Sequence, residues 1–178
     1  THAWLLDGMR RLIGRVGMGA LHVKESPSSR FDPQTRGLKV ALKNACRSLG
    51  ATFDVEVRTQ TSSSDGEARL RPLGVNSSSV VFGVTSGCEG DLQTIDVVRA
   101  VVAWFRSEQD LVVQDRLEES KRIDLTAVLF GFGLAVLEDA VDEPRKGRLT
   151  RGEAAHVLAA RIIGRRAGFF GMWWTWFR

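Results

Sequence analysis

The chain has 178 residues, enough for about one domain with a proper core, and its 43% hydrophobic and 26% charged residues are ordinary for a globular protein. The longest apolar run, "LTAVLFGFGLAVL" at 125–137, has 13 residues, short of the roughly 20 that cross a bilayer, so it reads as a buried core helix. Two cysteines, Cys46 and Cys88, do not make a secreted disulfide framework, and the net charge of +4 resolves into two basic thirds around an acidic middle: ten Lys/Arg against five Asp/Glu over 1–60, five against ten over 61–120, and ten against six over 121–178.

The opening stretch predicts an amphipathic helix from Ala3 to Val16, Arg-rich and nearly free of acid. That character is shared with organelle-targeting segments, and the chain begins at Thr1, as a processed or trimmed protein would. A structural helix is the preferred reading, within a protein assigned to an organelle, the mitochondrion. A polar connector follows. In "FDPQTRGLKVALKNACRSLGA", Asp32 is placed to cap a helix and Pro33 to occupy its first turn. Leu38, Ala41, Leu42, Ala45 and Leu49 make its apolar stripe, Cys46 lies beside them as a buried reduced thiol, and Gly50 ends it. A disulfide from Cys46 to Cys88 stays open. Lys39, Lys43 and Arg47 recur every four residues as a basic ridge on another face.

"TFDVEVRTQ" alternates, with Phe53, Val55 and Val57 expected on the buried side. "EARLRPLGV" is a weaker strand whose Pro72 argues for an edge, and "VVFGVT" is a more apolar and more buried third strand. The Ser-rich turns between them predict an antiparallel meander. Helices follow: one capped by Asp91, a restart near Ser107, a core helix over about 124–140, and a last one from about Gly152. The expected class is α+β, a three-stranded antiparallel meander with flanking helices and a C-terminal helical region. The expected organisation is an N-terminal helix at 1–22, an αβββα body at 32–106, a helical region at 107–168 and an aromatic tail at 169–178.

The α-β-β-β-α order of the body resembles that of the double-stranded-RNA-binding domain, in topology and over under half the chain. The resemblance implies phosphate contacts from a basic cluster at the start of the second helix. Here that stretch, "GCEGDLQTID", offers Glu89, Asp91 and Asp96 instead, which would repel phosphate.

Residues 142–153, "DEPRKGRLTRGE", follow the spacing of an EF-hand loop, with Asp142 first, Gly147 sixth, Leu149 eighth and Glu153 twelfth. Pro144 and Lys146 occupy the third and fifth ligand positions, and Arg145, Arg148 and Arg151 add positive charge, so no calcium or other cofactor is expected. His2, His22 and His156 share no metal-ligand spacing, and no nucleophile elbow is present. The chain is read as not an enzyme.

Six of the residues 169–178 are aromatic: Phe169, Phe170, Trp173, Trp174, Trp176 and Phe177. Burying each contributes on the order of 2 kcal/mol, and left bare they would promote aggregation. They are read as a docking element covered by other protein subunits or by a membrane surface. Arg161, Arg165 and Arg166 precede them and, with Lys39, Lys43 and Arg47, are the candidate contacts for phosphate or an acidic partner. The expected function is a non-catalytic accessory subunit of a larger, membrane-associated organellar assembly. Nucleic acid is the second choice: the sequence pI of about 9.6 and the element order suit a ribosome-associated RNA-binding module.

Overall fold

The computed structural model describes residues 3–17, 24–61, 69–76 and 78–166. The protein is α+β, with one three-stranded mixed sheet and several helices among these residues. The chain divides into two compact units: Ser26–Gln114, which holds the sheet, and Thr1–Glu25 together with Asp115–Arg178, whose described elements are helices.

In the sheet unit, Asp32 caps α2 (Pro33–Arg36) by accepting from the Gln34 backbone N–H at 2.9 Å, with Pro33 in the first turn. The single helix expected from this cap is interrupted at Gly37, whose φ of 79° is open to glycine at little cost. The chain then enters α3 (Leu38–Ser48), which buries Ala41, Leu42, Ala45 and Cys46. Cys46 and Cys88 are both free thiols, and burial pushes Cys46 up to about 12.

The strands are β1 (Asp54–Gln60), β2 (Leu70–Val75) and β3 (Ser79–Thr85), in the order β1-β3-β2. The antiparallel meander is thereby corrected: β3 is central, parallel to β1 and antiparallel to β2. Hydrophobicity accounts for the choice. Val80 through Val84 are all buried, so β3 must be covered on both faces and paired on both edges. β2 contains Pro72, which lacks an N–H, and its register shifts between Pro72 and Gly74, both features of an edge. Nine residues, 61–69, separate β1 from β2, more than the two to five of an ordinary hairpin. By contrast β2 and β3 are joined through Asn76, whose side chain accepts from the backbone N–H groups of Ser78 and Ser79. Phe53 also departs from expectation: it precedes β1 and is 46% exposed, while Val55 is buried.

Helix α4 (Thr94–Glu108) packs on the sheet and on α3. Its N-terminus is closed by a reciprocal capping box between Gln93 and Asp96; Asp91, the expected cap, lies in a preceding 3-10 turn over Glu89–Asp91. Val97, Val98, Val101 and Val102 are fully buried. The chain leaves the helix at Gln109 without the expected restart, and buried Arg106 donates to the Leu111 carbonyl at 2.6 Å.

In the helical unit, α1 (Ala3–Val16) buries Leu5, Met9 and Leu12, and a Cβ on Gly8 would come within 2.7 Å of Leu125. Gly8 thus permits close packing against α5 (Arg116–Ala127), which Asp115 caps. The expected core helix over 124–140 is instead two helices. A π-helical turn at Val128–Phe132 contains Gly131 at φ 94°, and α6 (Gly133–Asp139) follows. Leu125, Val128, Leu129 and Phe132 are fully buried there. Helix α7 (Arg151–Arg166) closes the unit with Ala154, Val157 and Leu158 inward.

Candidate docking surfaces

The basic ridge lies on α3, and the sheet answers it with acid. Lys43 donates to the Asp54 carboxylate at 2.9 Å. That bond, with the nearby charges of Lys43 and Lys39, holds the Asp54 carboxyl below its ordinary value. Glu56 is likewise lowered, first by the Arg58 side chain that donates to it at 2.7 Å and then, more weakly, by Asn76 and Lys39. Arg47 is exposed in the last turn of α3. Part of the ridge's charge is therefore matched by β1 within the same unit, which lowers its value as a phosphate contact.

The second basic group separates. Arg161 is 3% exposed and ion-paired with Glu25. The same carboxylate accepts from the Leu134 backbone N–H at 3.0 Å, so α6, α7 and the segment after α1 meet on one acid. Burial and this pair give Arg161 an internal place, in correction of its reading as a surface contact. Arg165 and Arg166 fall on α7, and their side chains lie outside the described residues. So do Phe169, Phe170, Trp173, Trp174, Trp176 and Phe177.

The EF-hand-like segment is a helix-capping loop. Thr150 and Glu153 exchange hydrogen bonds, the Thr150 N–H donating to the Glu153 carboxylate at 2.8 Å and the Glu153 N–H to the Thr150 hydroxyl at 3.2 Å. Asp142 is 3.9 Å from Arg151. Leu149, the apolar eighth position, is buried, and its N–H donates to buried Asp124. Among the described residues, no group of three or more His, Cys, Asp or Glu is placed to hold a metal ion, and no helix is long and apolar enough to cross a membrane.

One feature escaped the sequence reading. In the helical unit a cleft of about 440 Å³ opens between α1, α5 and the loop before α7. Trp4, Leu117 and Pro144 give it a mainly apolar wall, and Lys121, Arg145 and Lys146 line it with positive charge. Lys121 Nζ stands 5.1 Å from the centroid of the Trp4 ring. The residues come from three distant stretches, so no local spacing announced them; the one visible signal was the "PRKGR" run, absorbed into the calcium-loop argument.

No family model matches the chain, and neither a curated protein nor a solved structure matches it.

Proposed function

We propose that this chain is a non-catalytic accessory subunit of a larger, membrane-associated organellar assembly, docking through the aromatic residues of 169–178. The observation that carries the reading is that each unit has a packed apolar interior of its own among the described residues. The sheet unit buries Leu42, Val55, Phe82, Val98 and Val102, and the helical unit buries Leu5, Leu125, Leu129, Phe132 and Val157. On this reading neither core needs the six further Phe and Trp side chains of 169–178. Interfaces favour aromatic anchors of this kind, and membrane headgroup regions favour Trp with Arg. The mitochondrion is proposed from the Arg-rich, acid-poor composition of α1, although α1 also serves the fold by burying Leu5, Met9 and Leu12.

Gel filtration with native mass spectrometry, on the isolated chain and on material from its native source, tests this reading. Association of the isolated chain with itself or with lipid, and recovery from the source in a larger complex, are expected. A stable monomer in both samples, with 169–178 protected from protease, contradicts it. The RNA-binding alternative keeps its basic pI and the α-β-β-β-α order, but the sheet is mixed rather than the antiparallel meander expected with it. A steep loss of RNA affinity with salt would restore it.

A further inference from the structure

We propose that the cleft of the helical unit is a second docking site, for an acidic peptide segment of a protein partner carrying one apolar or aromatic side chain. The proposal does not depend on whether the aromatic segment docks.

The charge distribution of the unit argues for an acidic occupant. Several of its cations are ion-paired: Arg11 with Asp7, Arg122 with Asp7 and Glu118, Arg148 with Asp124, Arg151 with Asp142, and Arg161 with Glu25. Arg145 and Lys146 are exposed at the cleft and have no ion pair among the described residues. Lys121 pairs with Glu153 at 4.0 Å and also covers the face of Trp4. The cleft's one acid, Glu118, is already engaged by Arg122. Arg145 and Lys146 thus stand beside Lys121 at the cleft with no ion pair of their own among the described residues, and carboxylates would complement them.

The wall argues for a side chain between those carboxylates. Leu117 is 52% exposed at the cleft beside half-buried Trp4 and exposed Pro144. An apolar group seated there would remove that surface from water, and about 440 Å³ lies within the range of small binding clefts. Concavity favours an inserted side chain over the face of a bilayer. A single aromatic, already stacked by Lys121, lacks the succession of platforms along which a nucleic-acid strand stacks its bases.

The test uses the full chain and a fluorescein-labelled peptide, Asp-Glu-Leu-Phe-Asp-Glu, read by fluorescence anisotropy. Saturable binding below about 1 mM is expected, weakened about tenfold when the acids are replaced by Asn and Gln. Arg145→Glu with Lys146→Glu should produce a similar, about tenfold, loss. Leu117→Ser should weaken binding about threefold or more through the lost apolar contact. All three positions are exposed, and circular dichroism verifies that both variants fold. The proposal is overturned by a peptide that does not saturate, or by unchanged affinity in both variants. It is also overturned if oligouridylate, or vesicles containing phosphatidylglycerol, bind more tightly than the peptide and are released by the double charge reversal. Peptide binding that emerges only after Trp173, Trp174 and Trp176 are replaced by Ala would make the chain's own aromatic segment the occupant and overturn the assignment to a partner.

Discussion

Lys43 on α3 donates a 2.9 Å hydrogen bond to the carboxylate of Asp54, the first residue of β1. A residue that reads in the sequence as one rung of a phosphate-facing ridge is thus tied to its own sheet. The pair is exposed, so its contribution to overall stability is small and shows mainly in ionisation. Lys43→Ala should raise the Asp54 carboxyl back toward its ordinary value, which a carbon-detected NMR titration of the side chain would show. Asp54 and Glu56 are both held low in the fold. Their stabilising contribution is therefore complete above the ordinary carboxylate range and is lost as pH falls through the lowered folded values. Lys43→Ala should flatten that acid limb of the stability profile; an unchanged Asp54 titration would mean that the bond does not persist in solution.

Arg161 makes the converse prediction. It is buried against Glu25, which also holds the Leu134 N–H. Removing one member of a buried pair leaves the other uncompensated, and with Glu25 still 23% exposed the cost should fall at the lower end of the usual range, about 3 kcal/mol. Urea unfolding of Arg161→Ala would measure it. A stability unchanged within error, accompanied by lost affinity for an anionic partner, would return Arg161 to the surface role.

The loop at 142–153 should bind no calcium. Its twelfth-position carboxylate, Glu153, is committed to Thr150, and Pro144 and Lys146 supply no side-chain oxygen at the third and fifth positions. Isothermal titration with micromolar Ca²⁺ should show no saturable heat. A saturable site lost in Glu153→Gln would overturn this reading of the loop.

Local signals carried the sequence reading well and long-range ones poorly. Asp32 and Pro33 announce a helix start through chemistry confined to four residues, and the structure uses both as read. Asp91 and Asp96 are equally plausible caps by composition; the choice fell to Gln93 with Asp96 because those two can cap each other reciprocally. The sheet order depended on comparing strands. The unbroken apolar run of β3 and the length of 61–69 together favour a central third strand, whereas each alone fits a meander. Arg161 was legible in retrospect: it lies seven residues after Ala154 and four after Val157, on the same inward face of α7. The cleft was not legible, because Trp4, Lys121 and Lys146 meet only once α1, α5 and the pre-α7 loop are assembled.

The central claim is that residues 169–178 dock and the rest folds without their help. Replacing Trp173, Trp174 and Trp176 together by Ala, followed by a thermal melt and by co-purification or liposome flotation, tests it most directly. The account predicts a far-UV circular dichroism spectrum and melting temperature close to those of the parent chain, with attachment to the partner or vesicle abolished, since a few aromatic anchors carry most of a docking energy. Cooperative unfolding of the triple variant at a much lower temperature would place these residues in the core and contradict the docking role.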